Sequence, residues 1–167
     1  EELAIIESLD TGKPEWLSKE LDIPRSAENM FFFGNAISYY FSEFHNMDDR
    51  AINYTLRKPI GIVGCISPWN LPLYLLTWKI APALLMGNAV IAKPSEVTPL
   101  TAHYLGQILD EIGFPGGLVN IVHGYGPEVG QAIVEHPAIK AISFTGGTDT
   151  GRIVAKTAAP MFKKLSL

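Results

Sequence analysis

The 167-residue sequence predicts an α/β fold, a doubly wound open parallel sheet, from three observations. Continuous apolar runs at 60–66 and 89–92, without polar alternation, suit strands covered by helices on both faces. These runs alternate with helix-length segments, the βα rhythm of a parallel sheet. Finally, turns rich in polar residues and glycine follow successive strands, at the sheet edge where open α/β folds bind ligands.

Taken in order, residues 1–21 read as two short helical pieces broken at Thr11-Gly12-Lys13-Pro14. Pro24 then opens an amphipathic helix in which Met30, Phe33, Ile37, Phe41 and Phe44 recur at spacings of three and four, and this stripe is expected to pack on the sheet. After Asp48-Asp49-Arg50 the period becomes two. Ile52, Tyr54 and Leu56 alternate with Asn53, Thr55 and Arg57, predicting a strand with one wet face outside the main sheet, a partner-facing arm.

The apolar run at 60–66 stops at Ser67-Pro68-Trp69-Asn70-Leu71-Pro72. Pro72 suits a first helical position, and 73–86 forms a helix whose few polar positions, Thr77 and Lys79, place it in the interior. Gly87-Asn88 ends it, and the strand at 89–92 leads to Lys93-Pro94-Ser95-Glu96. Thr98-Pro99 reads as an N-cap with proline at the first helical position; Leu105, Ile108, Leu109 and Ile112 give that helix its apolar face, and Gly113 ends it. A strand at 118–122, a short helix after Gly126-Pro127, a strand at 141–144, a helix after Thr145-Gly146-Gly147-Thr148 and a strand at 164–167 complete the pattern. The methionines read as core.

Composition narrows the function classes. Hydrophobic residues make up 47% and charged residues 18%, which is globular, and a net charge of −4 without a Lys/Arg cluster argues against nucleic acid. One cysteine leaves no intrachain disulfide and is compatible with a reducing cytosol. The longest apolar segment, 71–92, carries Lys79, Pro82 and Asn88, which argues against a membrane span. The chain opens on Glu1 without an initiator Met and stops at Leu167 inside an expected strand, so it reads as a piece of something longer.

The residues that carry chemistry lie in the turns. No G-x-G-x-x-G follows the first buried strand. Phe144-Thr145-Gly146-Gly147-Thr148 opens a helix, where unpaired backbone N–H groups favour an anion such as a pyrophosphate; a plain βα turn is an equal alternative. Glu96 can accept from ribose hydroxyls and would repel a 2′-phosphate, and Lys93 can donate to the same sugar; the alternative is a solvated loop with scattered charge. The Asn70 carboxamide, flanked by prolines, can donate to a developing oxyanion, or can be an ordinary loop asparagine bonding its own backbone. Trp69 either lies over a ligand or covers the sheet edge. Cys65 sits in an apolar strand, where burial raises a thiol pKa, so it reads as structural. His45, His103, His123 and His136 lack metal-ligand spacing.

Together, Ser67-Pro68-Trp69-Asn70-Leu71-Pro72, Lys93-Pro94-Ser95-Glu96, Gly124-Tyr125-Gly126-Pro127 and Phe144-Thr145-Gly146-Gly147-Thr148 resemble the NAD(P)-dependent aldehyde dehydrogenase superfamily, with Asp10-Thr11-Gly12-Lys13 extending the match toward the start. Within it, Ile23-Pro24-Arg25-Ser26, the stretch 71–79 and Lys163-Lys164-Leu165-Ser166-Leu167 are most similar to the 2-aminomuconic and 2-hydroxymuconic semialdehyde dehydrogenases. The resemblance implies a Rossmann-like NAD-binding domain, here partial and formed by 1–49 and 59–167, with 50–58 as one strand of an oligomerisation arm and the catalytic domain absent.

It further implies a cytoplasmic homodimer or homotetramer that oxidises a small aldehyde with NAD and uses neither nucleic acid nor membrane. In the family a cysteine thiolate attacks the aldehyde, the asparagine matching Asn70 holds the oxyanion, and a glutamate-activated water hydrolyses the thioester. Both the cysteine and the glutamate are expected beyond Leu167, so this piece alone is expected to be inactive. Carried over, Ile66, Ser67, Pro68 and Trp69 line the nicotinamide side; Lys93, Ser95 and Glu96 face the adenosine ribose; Gly126 and Gly130 lie near the adenine. Phe144, Thr145, Gly146, Gly147 and Thr150 carry the pyrophosphate. Many members have serine where Gly147 stands, which bears on cofactor affinity. A coenzyme-A-acylating relative and a non-catalytic nucleotide-binding protein are the competing readings.

Overall fold

A computed structural model describes all residues from Glu1 to Leu167. In chain order the elements are α1 (Glu2–Thr11), the single turn α2 (Glu15–Leu17), α3 (Ile23–Ala36), β1 (Phe44–Met47), β2 (Ala51–Tyr54), β3 (Ile62–Ile66), α4 (Pro72–Leu85), β4 (Ala89–Lys93), α5 (Leu100–Glu111), β5 (Val119–Ile121), α6 (Gln131–Glu135), β6 (Ile139–Phe144), α7 (Thr148–Ala158) and β7 (Lys164–Ser166).

Five strands form a parallel sheet in the order β5-β4-β3-β6-β7. The chain winds outward from β3 to β5, then crosses back to lay β6 on the other side of β3. That reversal makes a crevice between the carboxyl ends of β3 and β6, the place where such sheets bind ligands.

Helices cover both faces, as uninterrupted apolar strands require. On one face Val63, Cys65, Val90 and Ala92 pack with Leu76 and Ile80 of α4 and Ala102 of α5. On the other, Ile139, Ile142 and Phe144 pack with Ile133 and Val134 of α6 and Val154 and Ala158 of α7. Gly64 faces this second layer, and a Cβ there would meet Ile133 Cγ2 at 2.5 Å and Ile142 Cδ1 at 2.9 Å. Glycine at mid-strand thus lets α6 approach the sheet.

The register at the strand starts is held by one side chain. Asn88, buried after α4, accepts through Oδ1 from the N–H groups of Ile60 (2.7 Å) and Gly61 (3.1 Å) and donates to the Ala83 carbonyl (3.1 Å). This ties the entry of β3 to the end of α4.

Several sequence expectations are corrected. The helix opened near Pro24 ends at Ala36, passes through a single 3₁₀ turn at Ile37–Tyr39 and becomes extended at Tyr40. Phe41 and Phe44 are therefore not helical, and both are exposed. The helix packs on α4, with Phe33 edge-on to Trp78 at 5.6 Å and Asn29 donating to Tyr74 O and Thr77 Oγ1, both at 3.0 Å. It does not pack on the sheet. Its most buried residues are the polar Ser26 and Asn29: Asn29 finds acceptors on the facing helix, and the Ser26 hydroxyl donates to the Asp22 carbonyl one turn back (2.7 Å).

Thr98 does not cap α5. Its hydroxyl donates to the Trp69 carbonyl (3.1 Å), and the first N–H of the helix, that of Leu100, is taken by Asp10 Oδ2 (2.9 Å). Met47 and Met161 are exposed rather than core.

The alternating segment forms the second strand of an antiparallel hairpin, with Phe44 opposite Tyr54 and Met47 opposite Ala51. Asp48 and Asp49 turn the chain with positive φ. The hairpin is a separate two-stranded sheet, and all eight of its strand positions are exposed.

Candidate active site

The carboxyl ends of β3, β4 and β6 border one cavity of about 770 Å³. Every residue that the resemblance assigns to cofactor or substrate lines it: Ile66 to Asn70 after β3; Lys93, Ser95 and Glu96 after β4; Gly126 and Gly130; then Phe144 to Gly147 and Thr150 after β6. Three loops far apart in sequence meet because parallel strands point their carboxyl ends the same way.

The loop after β3 is pinned by its backbone. The Ser67 N–H donates to the Lys93 carbonyl (3.2 Å), Thr98 holds the Trp69 carbonyl, and Lys13 Nζ donates to the Asn70 carbonyl (3.1 Å). Pro72 then begins α4 at its first position. The Asn70 carboxamide makes no hydrogen bond to the protein, and the Trp69 indole is exposed at the cavity rim. Ser67 is buried and its hydroxyl has no protein partner.

After β4, Lys93 is almost wholly buried and donates to the Pro94 carbonyl (3.0 Å) and to Glu96 Oε2 (2.9 Å). The other Glu96 oxygen accepts from the Gly126 N–H (3.3 Å). The hydrogen bond from Lys93 is the main reason the Glu96 carboxyl lies below its ordinary pKa, and the Gly126 N–H adds to it. Glu96 is therefore an ionised group facing the cavity. Lys93 thus braces that carboxylate with one N–H and keeps the last of its three for the cavity it lines.

After β6 the chain enters α7 with Gly147 at the cap, in extended conformation. The first N–H groups of α7 lack intrahelical partners, as at any helix start, and Gly146, Gly147 and Thr150 line the cavity there. Gly146 is sterically required, since a Cβ there would come within 2.5 Å of the Phe144 ring. Gly147 differs: a Cβ would meet nothing within 4 Å, so the serine that the resemblance leads one to expect there would fit, and its absence has no steric cause.

Lys79, in the middle of apolar α4, is buried and donates to Thr145 Oγ1 (2.7 Å) and Ser143 Oγ (3.3 Å). Desolvation lowers its pKa. Sequence reading noted its place in the helix but gave it no role in the site. The signal was there, because a lone lysine in a buried helix needs a polar partner elsewhere. Gln131, Val134, Ile153 and Val154, which no motif marks, also line the cavity, as do Leu75 and Pro127, which lie in matching stretches but carried no assigned role.

Cys65 is fully buried in β3 on the face under α4, and burial pushes its thiol up to about 12. Neither a cysteine nor a histidine lines the cavity.

The cavity thus brings the start of α7, the ionised Glu96 carboxylate and the unengaged Asn70 carboxamide together along one edge of the sheet. The family model for the aldehyde dehydrogenase family matches residues 1–167. The chain belongs to that family. It is 53% identical over its whole length to human 2-aminomuconic semialdehyde dehydrogenase, and 47% identical over 96% of its length to 2-hydroxymuconic semialdehyde dehydrogenase of Pseudomonas sp. (strain CF600). An aldehyde dehydrogenase of Bacillus cereus solved as its NAD⁺ complex superposes with a TM-score of 0.96, at 40% identity over 99% of this chain. The chain spans 34% of the length of each of the three.

Proposed function

We propose that these residues bind NAD in an enzyme that oxidises a semialdehyde to a carboxylate, with Asn70 as the donor to the oxyanion. The observation that carries the reading is the convergence of Asn70, Glu96 and Gly146 on one cavity. The semialdehyde is supported by the names of the two relatives, and 50–58 as part of an oligomerisation arm by the exposed hairpin that stands apart from the sheet. No helix is long and apolar enough to cross a membrane; a cytoplasmic place belongs to the same proposal.

The residues fit the cofactor. The start of α7 and the glycine turn before it offer N–H groups to a pyrophosphate. Glu96, ionised and braced by Lys93 and Gly126, can accept from a ribose diol and disfavours a 2′-phosphate. Ser67 offers a buried hydroxyl without a partner on the nicotinamide side. When bound, NAD accepts the hydride.

This chain's own contribution is binding, orientation and charge stabilisation. The carboxamide N–H of Asn70, bonded to nothing else in the protein, can turn to an oxygen that gains negative charge as a nucleophile adds to the aldehyde. The nucleophile must come from outside these residues, because Cys65 is buried and protonated. The cysteine and the glutamate base belong to the rest of the enzyme in this proposal, and with them goes the inactivity of the piece alone.

In the complete enzyme, Asn70→Ala should lower kcat by roughly 10²–10³-fold, the scale for losing one oxyanion donor. Steady-state turnover of an unsaturated acidic semialdehyde with NAD measures it. An unchanged kcat rejects the assignment.

A further inference from the structure

The Asp10-Thr11-Gly12-Lys13 turn lies outside the cavity lining, yet Lys13 reaches the loop that carries Asn70. The turn itself is tightly built. Gly12 ends α1 in the left-handed conformation, with its N–H on the Ser8 carbonyl (2.8 Å), and Ser8 Oγ donates to the Lys13 carbonyl (2.6 Å). From this fixed backbone the Lys13 side chain runs inward. Its ammonium lies 2.5 Å from Asp22 Oδ2, 3.7 Å from Glu7 Oε1 and 3.1 Å from the Asn70 carbonyl. The Glu7 and Asp22 side chains are 0% and 1% exposed, and that of Lys13 is 13% exposed.

Two buried carboxylates and one ammonium form a cluster whose only cation is Lys13. Burial raises the Glu7 pKa, while the neighbouring Thr101 hydroxyl, the Lys13 ammonium and the Leu73 N–H pull the other way. Such a group is costly to keep unless it holds something in place. What it holds is an ammonium with a fixed position, and one of that ammonium's three N–H groups goes to the Asn70 peptide. A bond to the Asn70 carbonyl fixes the peptide plane between Asn70 and Leu71, and with it the direction of the Asn70 side chain. Since the carboxamide has no protein partner of its own, its aim depends on that backbone.

We propose that Lys13, held by Asp22 and Glu7, is a positioning residue for Asn70: it pins the Asn70 carbonyl so that the carboxamide faces the reacting carbonyl oxygen. The inference rests on Asn70 being the oxyanion donor. It adds a role for a charged cluster outside the cavity, built from α1, the turn before α3 and the turn after α1.

The test uses the complete enzyme and a cycle of Lys13→Met, Asn70→Ala and the double variant, with kcat, the KM for NAD and the KM for aldehyde measured for each. Lys13→Met should lower kcat by roughly 10–10²-fold, the scale of a small misplacement of a reacting group, and change the KM for NAD less than twofold. In the Asn70→Ala background it should have no further effect on kcat, because its action passes through that side chain. Lys13→Arg, which keeps a charged donor, should recover part of the loss.

Because Lys13→Met leaves two buried carboxylates without a cation, the cluster is also neutralised as a whole, Glu7→Gln with Lys13→Met and Asp22→Asn. That variant should fold and show the same fall in kcat. Full kcat in the neutralised variant, or losses from Lys13→Met and Asn70→Ala that multiply, would overturn the positioning role. An unchanged kcat for Asn70→Ala alone would instead overturn the oxyanion assignment beneath it, so the two failures are told apart.

Discussion

Replacing Glu96 with glutamine tests the cofactor reading through one charge. The carboxylate accepts at both oxygens, from Lys93 at 2.9 Å and from the Gly126 N–H at 3.3 Å, so a glutamine of the same shape loses the charge and keeps one of the two acceptors. Two like unit charges about 5 Å apart repel by about 3 kcal/mol at an effective dielectric of about 20. The Glu96 side chain is 36% exposed, and solvent screening roughly halves that to about 1.5 kcal/mol for each unit of phosphate charge. At about 1.4 kcal/mol per tenfold, and with a phosphate carrying up to about two charges, the preference for NAD over NADP should fall between about 10- and 10²-fold. The buried Lys93 ammonium, no longer neutralised, pulls the same way. Steady-state kcat/KM for the two cofactors in the complete enzyme, with the thermal midpoint as a folding control, gives the ratio. A ratio within twofold of the unmodified enzyme, at an unchanged midpoint, refutes Glu96 as the ribose ligand.

Two other sites give separate checks. Gly64→Ala should destabilise by about 1–3 kcal/mol through overpacking against Ile133 and Ile142, whereas Gly147→Ser, in open space, should stay within about 0.5 kcal/mol; denaturant melts of both decide it. Cys65 should resist alkylation at pH 8 while the protein is folded and react fully once it is unfolded. Its folded pKa is raised from 9.0 to about 12, so between those values the folded state keeps a proton that the unfolded state releases. Stability relative to a Cys65→Ala variant should therefore fall as pH rises through that window. A flat difference would place the thiol in water.

The parallel sheet was legible because its strands have no polar alternation, and only burial on both faces explains such runs. The candidate site was legible for a related reason: Asn70, Glu96 and Gly146 each lie in the loop that follows a buried strand, and the carboxyl ends of a parallel sheet share one edge. What misled was the stripe from Met30 to Phe44. Its spacing of three and four persists across a helix end and into a hairpin, because a strand pair also wants aromatic residues such as Phe44 opposite Tyr54. Spacing alone carries no information about where hydrogen bonds stop. The roles of Lys79 and Lys13 were hidden for another reason. Their partners lie 66 and 57 residues away, and no local pattern names them.

The central claim is that three strand ends grip one dinucleotide, and a crystal structure of the complete enzyme with NAD tests it most directly. The account predicts the pyrophosphate on the backbone at Gly146 and Gly147, the adenosine ribose on Glu96, and the nicotinamide beside Ser67 with Asn70 facing the aldehyde site. A dinucleotide bound elsewhere, or one that leaves Glu96 and Gly146 untouched, would contradict it.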